Sequence, residues 1–225
     1  MQIVINHLIK EYRQNGRPLR AVDDLSFSVE KGEFVCVMGH SGCGKSTLLN
    51  MMTGMLRPTE GQVLLDGEDL CAKTSRQLAD LRSTRIGYIP QGQGLLKNLT
   101  VWKNVCLPAG LARHKQDVSR RAEALLEQVG LSDRRDAYPA SLSGGEGRRA
   151  AIARAMINSP GIVVADEPTC NLDPAHSRRI MELFRGISRQ GVTVIVSTHN
   201  IAFLDYADRV LNMRGGRLVP AQQEN

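Results

Sequence analysis

One eight-residue stretch near the N-terminus restricts the possible folds of this chain more than any other feature. Residues 39–46 fit the pattern G-x-x-x-x-G-K-[ST], with an apolar run at 34–38 before them and a helical pattern at 46–54 after them. A strand, a glycine-rich loop and a helix in this order bind phosphate, because backbone N–H groups and the helix N-terminus can approach an anion. The context therefore predicts an α/β fold with a nucleotide at this loop, and argues against a chance glycine-rich turn.

Two side chains of the loop and two acids further along have predicted chemical roles. Lys45 is expected to reach the β- and γ-phosphates, and Ser46 to ligate Mg²⁺. The apolar run 162–165 ends in Asp166 and Glu167, and a parallel strand delivers such acids at the sheet edge where α/β proteins bind ligands. Asp166 is predicted to hold the Mg²⁺ shell and Glu167 to polarise the attacking water. Without the phosphate-binding loop, the same two acids would be typical of any solvated strand end.

The composition narrows the class of protein without naming a partner. The 225 residues are 42% hydrophobic and 23% charged, which suits one compact domain with a subdomain. A net charge of +6 favours an acidic partner, whether nucleic acid, an anionic membrane surface or a phosphorylated small molecule. Aromatic residues are only 4% of the chain, so few rings could stack on bases, and no nucleic acid is expected. Eight of the 29 cations are arginines in four adjacent pairs, predicted to be solvated helix faces: Arg120-Arg121, Arg134-Arg135, Arg148-Arg149 and Arg178-Arg179.

Cysteine usage and the apolar runs predict a location. The five cysteines include no C-x-x-C pair, which indicates reduced cytosolic thiols. Residues 1–6 lack the basic stretch and apolar run of a signal peptide. The longest apolar stretches are strand-sized, far short of the roughly 18 residues that span a bilayer. We therefore expect a cytosolic chain, any membrane role of which needs a partner chain.

The pattern along the chain predicts a helical segment inserted into a strand-rich core. Short strands and turns are predicted over residues 2–66, and an amphipathic helix over 117–129. From residue 161 strands and helices alternate again. Asp173 is predicted to be the N-cap of a helix with Pro174 at its first position.

The pentapeptide LSGGE at residues 142–146 lies between the phosphate-binding loop and the acidic pair. Together with that loop, DEPT at 166–169, NLD at 171–173 and STH at 197–199, it resembles the ATP-binding subunit of ABC transporters, in order over about residues 2–219. The resemblance implies a P-loop NTPase core of mainly parallel sheet, with an N-terminal antiparallel β-subdomain and an inserted α-helical subdomain. The implied organisation is a single ABC ATPase domain over residues 1–225. In it, residues 1–85 and 159–225 form the core and β-subdomain, and residues 86–158 form the helical subdomain.

The resemblance also implies a role for each matching residue. Tyr12 corresponds to the aromatic that stacks on adenine, Gln91 to the glutamine that senses Mg²⁺ and the membrane partner, and His199 to the switch histidine at the γ-phosphate. Taken alone, these three would be a packing aromatic, a plain turn residue and a structural histidine. The implied nucleotide-binding set is Tyr12, Gly39, Ser41, Gly42, Cys43, Gly44, Lys45, Ser46, Thr47, Ser143, Gly144, Gly145 and Glu146. The implied catalytic set is Lys45, Glu167 and His199; the metal set is Ser46, Gln91 and Asp166; the partner-subunit loop holds Asn171 and Asp173.

The partners implied by the resemblance are a second copy of the chain and a membrane permease. In a head-to-tail homodimer, the signature loop of one subunit, residues 143–146, caps the ATP held by the other. Residues 143–145 also open a predicted helix, so this loop is a second predicted anion site. ATP and Mg²⁺ are the implied cofactors. The implied location is peripheral, on the cytoplasmic side of the inner membrane, beneath integral membrane permease subunits.

Short stretches favour one branch of the family. Residues 39–42, 99–108, 142–146 and 171–173 are most similar to lipoprotein-releasing, macrolide-exporter and cell-division ATPases of the LolD, MacB and FtsE type. This branch implies a MacB- or FtsX-like permease and an exporter or force-transmitting complex, with a regulatory ATPase that gates a cell-envelope enzyme as the alternative. An ABC protein of DNA repair or translation is disfavoured, because the chain has one cassette and no long insertion. The cargo stays open: lipoprotein, peptide, antibiotic or haem.

The chain departs from the branch pattern at four places. Gly147-Arg148-Arg149-Ala150 stands for the usual Arg-Gln-Arg-Val, Cys170 for glycine and Asn200 for an acid, and residues 90–94 lack the usual aromatics around Gln91. The catalytic set is unaffected. We expect these changes to alter the surface that meets the permease.

Overall fold

The computed structural model describes residues 1–14, 17–92, 94–112 and 117–220. Its strands are β1 Ile3–Gln14, β2 Arg17–Val29, β3 Phe34–Met38, β4 Glu60–Leu65, β5 Glu68–Asp69, β6 Ile86–Ile89, β7 Ile162–Ala165, β8 Thr193–Thr198, β9 Arg209–Arg214 and β10 Arg217–Val219. Its α-helices are α1 Lys45–Met52, α2 Ser75–Arg85, α3 Val101–Leu111, α4 Val118–Gln128, α5 Gly144–Met156 and α6 Pro174–Arg189. None of these helices combines the length and the apolar character that crossing a membrane requires, as far as the described residues go.

The larger sheet has six strands in the order β10-β9-β3-β8-β7-β6. All neighbouring pairs are parallel except β10 with β9. Strands β3, β7 and β8 are almost entirely buried, as expected for parallel strands covered on both faces. Their side chains alternate between two hydrophobic clusters, so that Val35 and Val37 face one cluster while Phe34 and Cys36 face the other. The carboxyl ends of β3, β7 and β8 therefore meet at one edge of the sheet.

The smaller sheet is antiparallel, in the order β2-β1-β4-β5. Its inward residues, such as Ile3, Ile5 and Val63, join Leu48 and Leu49 of α1 in one of the two clusters. The predicted combination of a mainly parallel core and an N-terminal antiparallel β-subdomain is confirmed.

The middle of the chain is helical, but its predicted boundary is wrong at the first four residues. Residues 86–89, assigned to the helical segment, form β6 and pair with β7 at the edge of the larger sheet. Ile86 and Ile89 are buried in different clusters, so this strand belongs to the core. Gly87 lets β6 lie close to α5, because a Cβ there would come within 2.6 Å of the Ala155 carbonyl oxygen. A four-residue run is too short for its periodicity to separate strand from helix.

Two of the paired arginines are not on solvated faces, which corrects the prediction made for them. Arg148 is only 4% exposed and donates to the carbonyls of Pro90 and Gly92. Arg121 donates to the carbonyls of Ile157, at 2.6 Å, and Met156, at 2.8 Å. Both guanidinium groups satisfy backbone acceptors inside the protein, and burial lowers the pKa of each. Of the other six paired arginines, Arg149 is half-buried, and the rest are exposed, as predicted: Arg120, Arg134, Arg135, Arg178 and Arg179.

Candidate functional site

The phosphate-binding loop connects β3 to α1 and accepts only glycine at two positions. A Cβ on Gly39 would come within 2.4 Å of the Met213 carbonyl oxygen, and one on Gly44 within 2.1 Å of the Ala21 carbonyl oxygen. Gly44 also has a φ of 106°, in the left-handed region. Among the described residues, no side chain caps the N-terminus of α1. The N–H groups of its first turn are thus left for an anion.

Lys45 lies folded over this loop. Its side chain is 5% exposed, and its Nζ donates to the carbonyls of Gly39, at 2.6 Å, and His40, at 3.1 Å. The same Nζ lies 3.1 Å from Oε1 of Glu167, at the end of β7. A buried ammonium group is stable here because it has both a carboxylate and carbonyl acceptors.

Glu167 joins this lysine to His199. Its Oε2 lies 2.9 Å from Nδ1 of His199, which follows β8 and is 58% exposed at the side chain. The backbone of Glu167 has a φ of 47°, a left-handed conformation that costs free energy in a non-glycine residue, and its N–H donates to Ser197 Oγ at 2.9 Å. Three predicted catalytic side chains, from the loop, β7 and β8, are therefore in one contact chain.

Asp166 is held by a residue for which the sequence predicted no role. Ser197, fully buried on β8, donates to Asp166 Oδ1 at 2.6 Å while accepting from the Glu167 N–H. One hydroxyl thus orients both acids. The signal was available: parallel pairing of Ala165 with Val196 places Ser197 beside Asp166.

The predicted metal set offers oxygen ligands of the kind Mg²⁺ prefers. Ser46 is exposed on the first turn of α1, Gln91 is exposed after β6, and Asp166 is buried at the end of β7. The Asp166 N–H donates to the Ile89 carbonyl at 2.9 Å, which ties the strand end that carries Gln91 to this acid. In the described part of the chain, no group of three His, Cys, Asp or Glu forms a metal cage. Mg²⁺ needs none, because it retains water and takes ligands from substrate phosphates, so the donor set fits this ion.

The signature loop starts α5 with its own cap. Ser143 Oγ accepts from the Glu146 N–H at 3.2 Å, and Glu146 Oε2 accepts from the Ser143 N–H at 2.8 Å, which is a capping box. Arg134 Nε donates to Glu146 Oε1 at 3.0 Å. Bonds from the Ser143 backbone and hydroxyl, together with Arg134, hold the pKa of Glu146 below its ordinary value. The carboxylate of Glu146, which the resemblance assigned to the nucleotide, is engaged by Ser143 and Arg134 of its own chain.

The remaining predicted residues are distributed around these two loops. Tyr12 is 40% exposed on β1, with Lys10 Nζ 5.4 Å from its ring centroid. Cys43 is buried in the core, so its thiol does not face outward. Asp173 caps α6 as predicted, by accepting from the N–H groups of Ala175 and His176. The other assigned residues are placed as follows: Ser41, Gly42, Ser143, Gly144 and Asn171 are exposed, Thr47 is half-buried, and Gly145 is buried.

Within the described part of the chain, no hydrogen bond or ion pair joins the signature loop, residues 143–146, to Lys45, Glu167 or His199. Two of the departures from the branch pattern, Asn200 and Cys170, line the same cleft. Asn200 caps the turn after β8 by accepting from the Ala202 N–H, and the cleft, of about 430 Å³, also includes Asn171 and His199.

Comparison with known proteins identifies the family. The sequence model described as ABC transporter matches residues 22–170, about two thirds of the chain. This chain belongs to the ABC transporter family. The predicted membership is confirmed, and the chain is an ATP-binding subunit and an ATP hydrolase of this family.

Individual relatives agree on the family, and one of them is described as a methionine import protein. An uncharacterised ABC transporter ATP-binding protein of Mycobacterium tuberculosis (strain ATCC 25618 / H37Rv), Rv0986, is 40% identical over 223 residues, 97% of this chain and 89% of that protein. The methionine import ATP-binding protein MetN of Photorhabdus laumondii is 42% identical over 96% of this chain, which spans 64% of that protein. The dimeric post-hydrolysis structure of the ATP-binding cassette MJ0796, bound to ADP and Pi, has a TM-score of 0.90 at 32% identity, covering 99% of this chain and 100% of that one.

Proposed function

We propose that this ABC ATPase hydrolyses Mg²⁺-bound ATP at the interface of a head-to-tail homodimer and thereby drives a separate membrane permease. The observation that carries the proposal is the contact chain Lys45–Glu167–His199. When ATP binds, Lys45 exchanges its contacts with the Gly39 and His40 carbonyls and with Glu167 for phosphate oxygens. Glu167 is then free to orient and deprotonate the attacking water, and His199 contacts the γ-phosphate.

The metal would be held by Ser46, Gln91 and Asp166. Bound there, Mg²⁺ supplies neutralisation of the charge on the β- and γ-phosphates. Ser197 keeps Asp166 in a fixed orientation through its 2.6 Å hydrogen bond. The protein's contribution at Asp166 is therefore preorganisation, since this carboxylate is already oriented without the nucleotide.

The second half of each site is proposed to come from a second copy of the chain. Ser143 and Gly144, at the start of α5, are exposed and make no hydrogen bond with Lys45 among the described residues, while Asn171 lies at the surface of the loop that would cross to the partner. The similarity to the dimeric MJ0796 cassette supports this arrangement.

A cleft between α2, β6, α3 and α5 is the proposed contact for the permease. Its volume is about 290 Å³, and its lining includes Met55, 48% exposed, and Leu111, 75% exposed. Large exposed apolar residues beside such a cleft are typical of a partner surface. We propose that the ATPase binds the permease through this cleft and thereby lies peripherally on the cytoplasmic side of the inner membrane.

The partner is proposed to be MacB- or FtsX-like, in an exporter or force-transmitting complex, because the stretches noted above are most similar to that branch. The identity with MetN favours import as a second candidate. A regulatory ATPase that gates a cell-envelope enzyme would share the first partner type. Co-purification of the chain from membranes, with identification of the permease by mass spectrometry, separates these functions: a permease with a large extracytoplasmic domain supports the first, and a substrate-binding-protein-dependent permease supports import.

The catalytic proposal is tested by Glu167→Gln. Loss of a general base predicts a fall of about 10²- to 10⁴-fold in the hydrolysis rate, with ATP binding retained and an ATP-bound dimer accumulating on size-exclusion chromatography. Glu182→Gln, at an exposed position on α6, serves as the matched control and should hydrolyse ATP normally. Undiminished turnover by the Glu167 variant would contradict the proposal.

A further inference from the structure

Arg148, on the second turn of α5, is a buried cation with an unusual set of contacts. It is 4% exposed, and charged side chains are almost never buried to this degree without a charged partner. Its contacts in the described residues are backbone carbonyls: those of Gly92 and, at 3.4 Å, Pro90. Its Nε has no hydrogen-bond partner there. Burying a cation in this way lowers the stability of the fold. A role in positioning the backbone that Arg148 contacts therefore explains this residue better than a role in stability.

What Arg148 holds is the backbone on both sides of Gln91. The two acceptor carbonyls belong to the residues immediately before and after this glutamine. Gly92 has a φ of 87°, a left-handed conformation that favours glycine. A second arginine of the same helix, Arg154, donates to the Gly94 carbonyl at 2.6 Å. Two arginines of α5 thus donate hydrogen bonds to several backbone carbonyls of the loop after β6.

The same loop is anchored on its other side to the acidic edge of the core. The carbonyl of Ile89, two residues before Gln91, accepts from the Asp166 N–H at 2.9 Å. The backbone around Gln91 is therefore hydrogen-bonded on one side to the end of β7, which carries Asp166, and on the other side to α5, which begins at the signature loop. Its exposed side chain is positioned by these backbone anchors.

We propose that Arg148 is a positioning residue that holds Gln91 in register with Asp166, so that the Gln91 amide oxygen can ligate the Mg²⁺ of bound ATP. The inference rests on the proposed metal role of Gln91. The inference adds a role for α5, the helix that follows the signature loop: the buried guanidinium of Arg148 determines how much Mg²⁺ increases the affinity for ATP.

The test compares ATP binding with and without the metal. Calorimetric titration of ATP in excess Mg²⁺ and in excess EDTA, in the Glu167→Gln background so that ATP persists, measures the ratio of the two dissociation constants. Arg148→Met keeps the volume and removes the donors, and a buried ion replaced by an apolar residue usually leaves a protein folded. We expect it to lower the Mg²⁺-dependent ratio about tenfold, the low end of the loss seen when outer-shell partners of a metal are removed. Binding in EDTA should not change. Arg148→Lys, which keeps a charged donor, should restore much of the ratio.

Arg121→Met is the matched control, because Arg121 also donates to two backbone carbonyls, at the other end of α5 and away from Gln91. It should leave the ratio unchanged even if it lowers the melting temperature. Gln91→Ala should reproduce the effect of Arg148→Met, and the double variant should add nothing further.

The outcomes separate the inference from the proposed function. If Gln91→Ala lowers the ratio and Arg148→Met does not, the inference is wrong while the metal role of Gln91 stands. If Gln91→Ala has no effect, that metal role fails and the inference fails with it. Should Arg148→Met not fold, Arg148→Gln, which removes the charge and shortens the side chain, takes its place, and an unchanged ratio in that variant would overturn the inference.

Discussion

Helices α1 and α5 both begin at a glycine-rich loop, yet their first turns are completed in different ways. Gly44 precedes α1 in a left-handed conformation, and within the described residues no side chain caps that helix. Ser143 and Glu146 close the start of α5 with a capping box of their own. The first helix keeps its N–H groups for a ligand, whereas the second satisfies part of its own.

The surroundings of the two helix starts differ in the same way. Lys45, Glu167 and His199 converge beside the start of α1 and come from three separate segments. The start of α5 is completed locally by Arg134 and Glu146. The first loop is thus a site that the whole core assembles, and the second is a preformed surface suited to being presented to another molecule.

The largest expected effect comes from removing the buried cation of the first site. Lys45→Ala should weaken ATP binding by about 30-fold to several thousand-fold. The variant lacks the cation that pairs with the bound phosphates, and loss of one partner of a buried charge pair costs about 2–5 kcal/mol. Calorimetric titration measures the affinity. Lys31→Ala, in an exposed turn, is the control and should bind normally. If the Lys45 variant bound ATP with near-normal affinity, the start of α1 would not be the phosphate site that distinguishes it from the start of α5.

Matched glycine substitutions test whether the two loops differ in backbone constraint. Gly44→Ala should lower the free energy of unfolding by roughly 2–6 kcal/mol, because the new Cβ meets the Ala21 carbonyl oxygen and the φ of 106° is strained for alanine. In Gly144→Ala the nearest atom is a Leu172 methyl carbon at 3.1 Å, and the change should be within about 1 kcal/mol. Urea denaturation measures both, and equal losses would contradict the comparison.

Removing a shared hydroxyl tests how far the core assembles the first site. Ser197→Ala should lower the free energy of unfolding by about 1.5–3 kcal/mol, since it deprives the Asp166 carboxylate and the Glu167 N–H of a partner, and it should also slow hydrolysis. Ser188→Ala removes another buried hydroxyl, which donates to the Gly32 carbonyl away from the site. That control should cost about 1 kcal/mol and leave the hydrolysis rate alone. Equal rates in the two variants would show that Ser197 only stabilises the fold.

The smallest effect concerns the pH dependence of the cap on α5. The hydrogen bond from the Ser143 backbone is the main cause of the lowered pKa of Glu146 in the folded state. The ionised carboxylate therefore contributes to stability above the ordinary glutamate pKa of about 4.3, and this contribution is lost as pH falls through the folded-state pKa. The difference in melting temperature between wild type and Glu146→Gln should be constant from pH 7 to about pH 5 and shrink below it. Glu127→Gln, exposed on α4, is the control. A difference that grows on acidification would refute the cap assignment.

Prediction from sequence succeeded where a local pattern carries the information. Strands β3 and β7 are continuous apolar runs and β8 has one at its centre, because parallel strands are buried on both faces. Asp173 with Pro174 is a local signal for the start of α6. Prediction was wrong for β6, a short edge strand, and for Arg148 and Arg121. Their burial depends on which distant carbonyls face them, and no spacing in the sequence records that.

The sequence by itself determined the phosphate-binding loop, the order of the family motifs and the α/β class, because each rests on residues adjacent in the chain or on strand and helix periodicity. Only the tertiary structure decided that Lys45, Glu167 and His199 form one contact chain, that Ser197 orients both acids, and that Arg148 grips the loop around Gln91. The reason is physical: these contacts join segments between 30 and 122 residues apart, and their geometry is determined by how strands and helices pack.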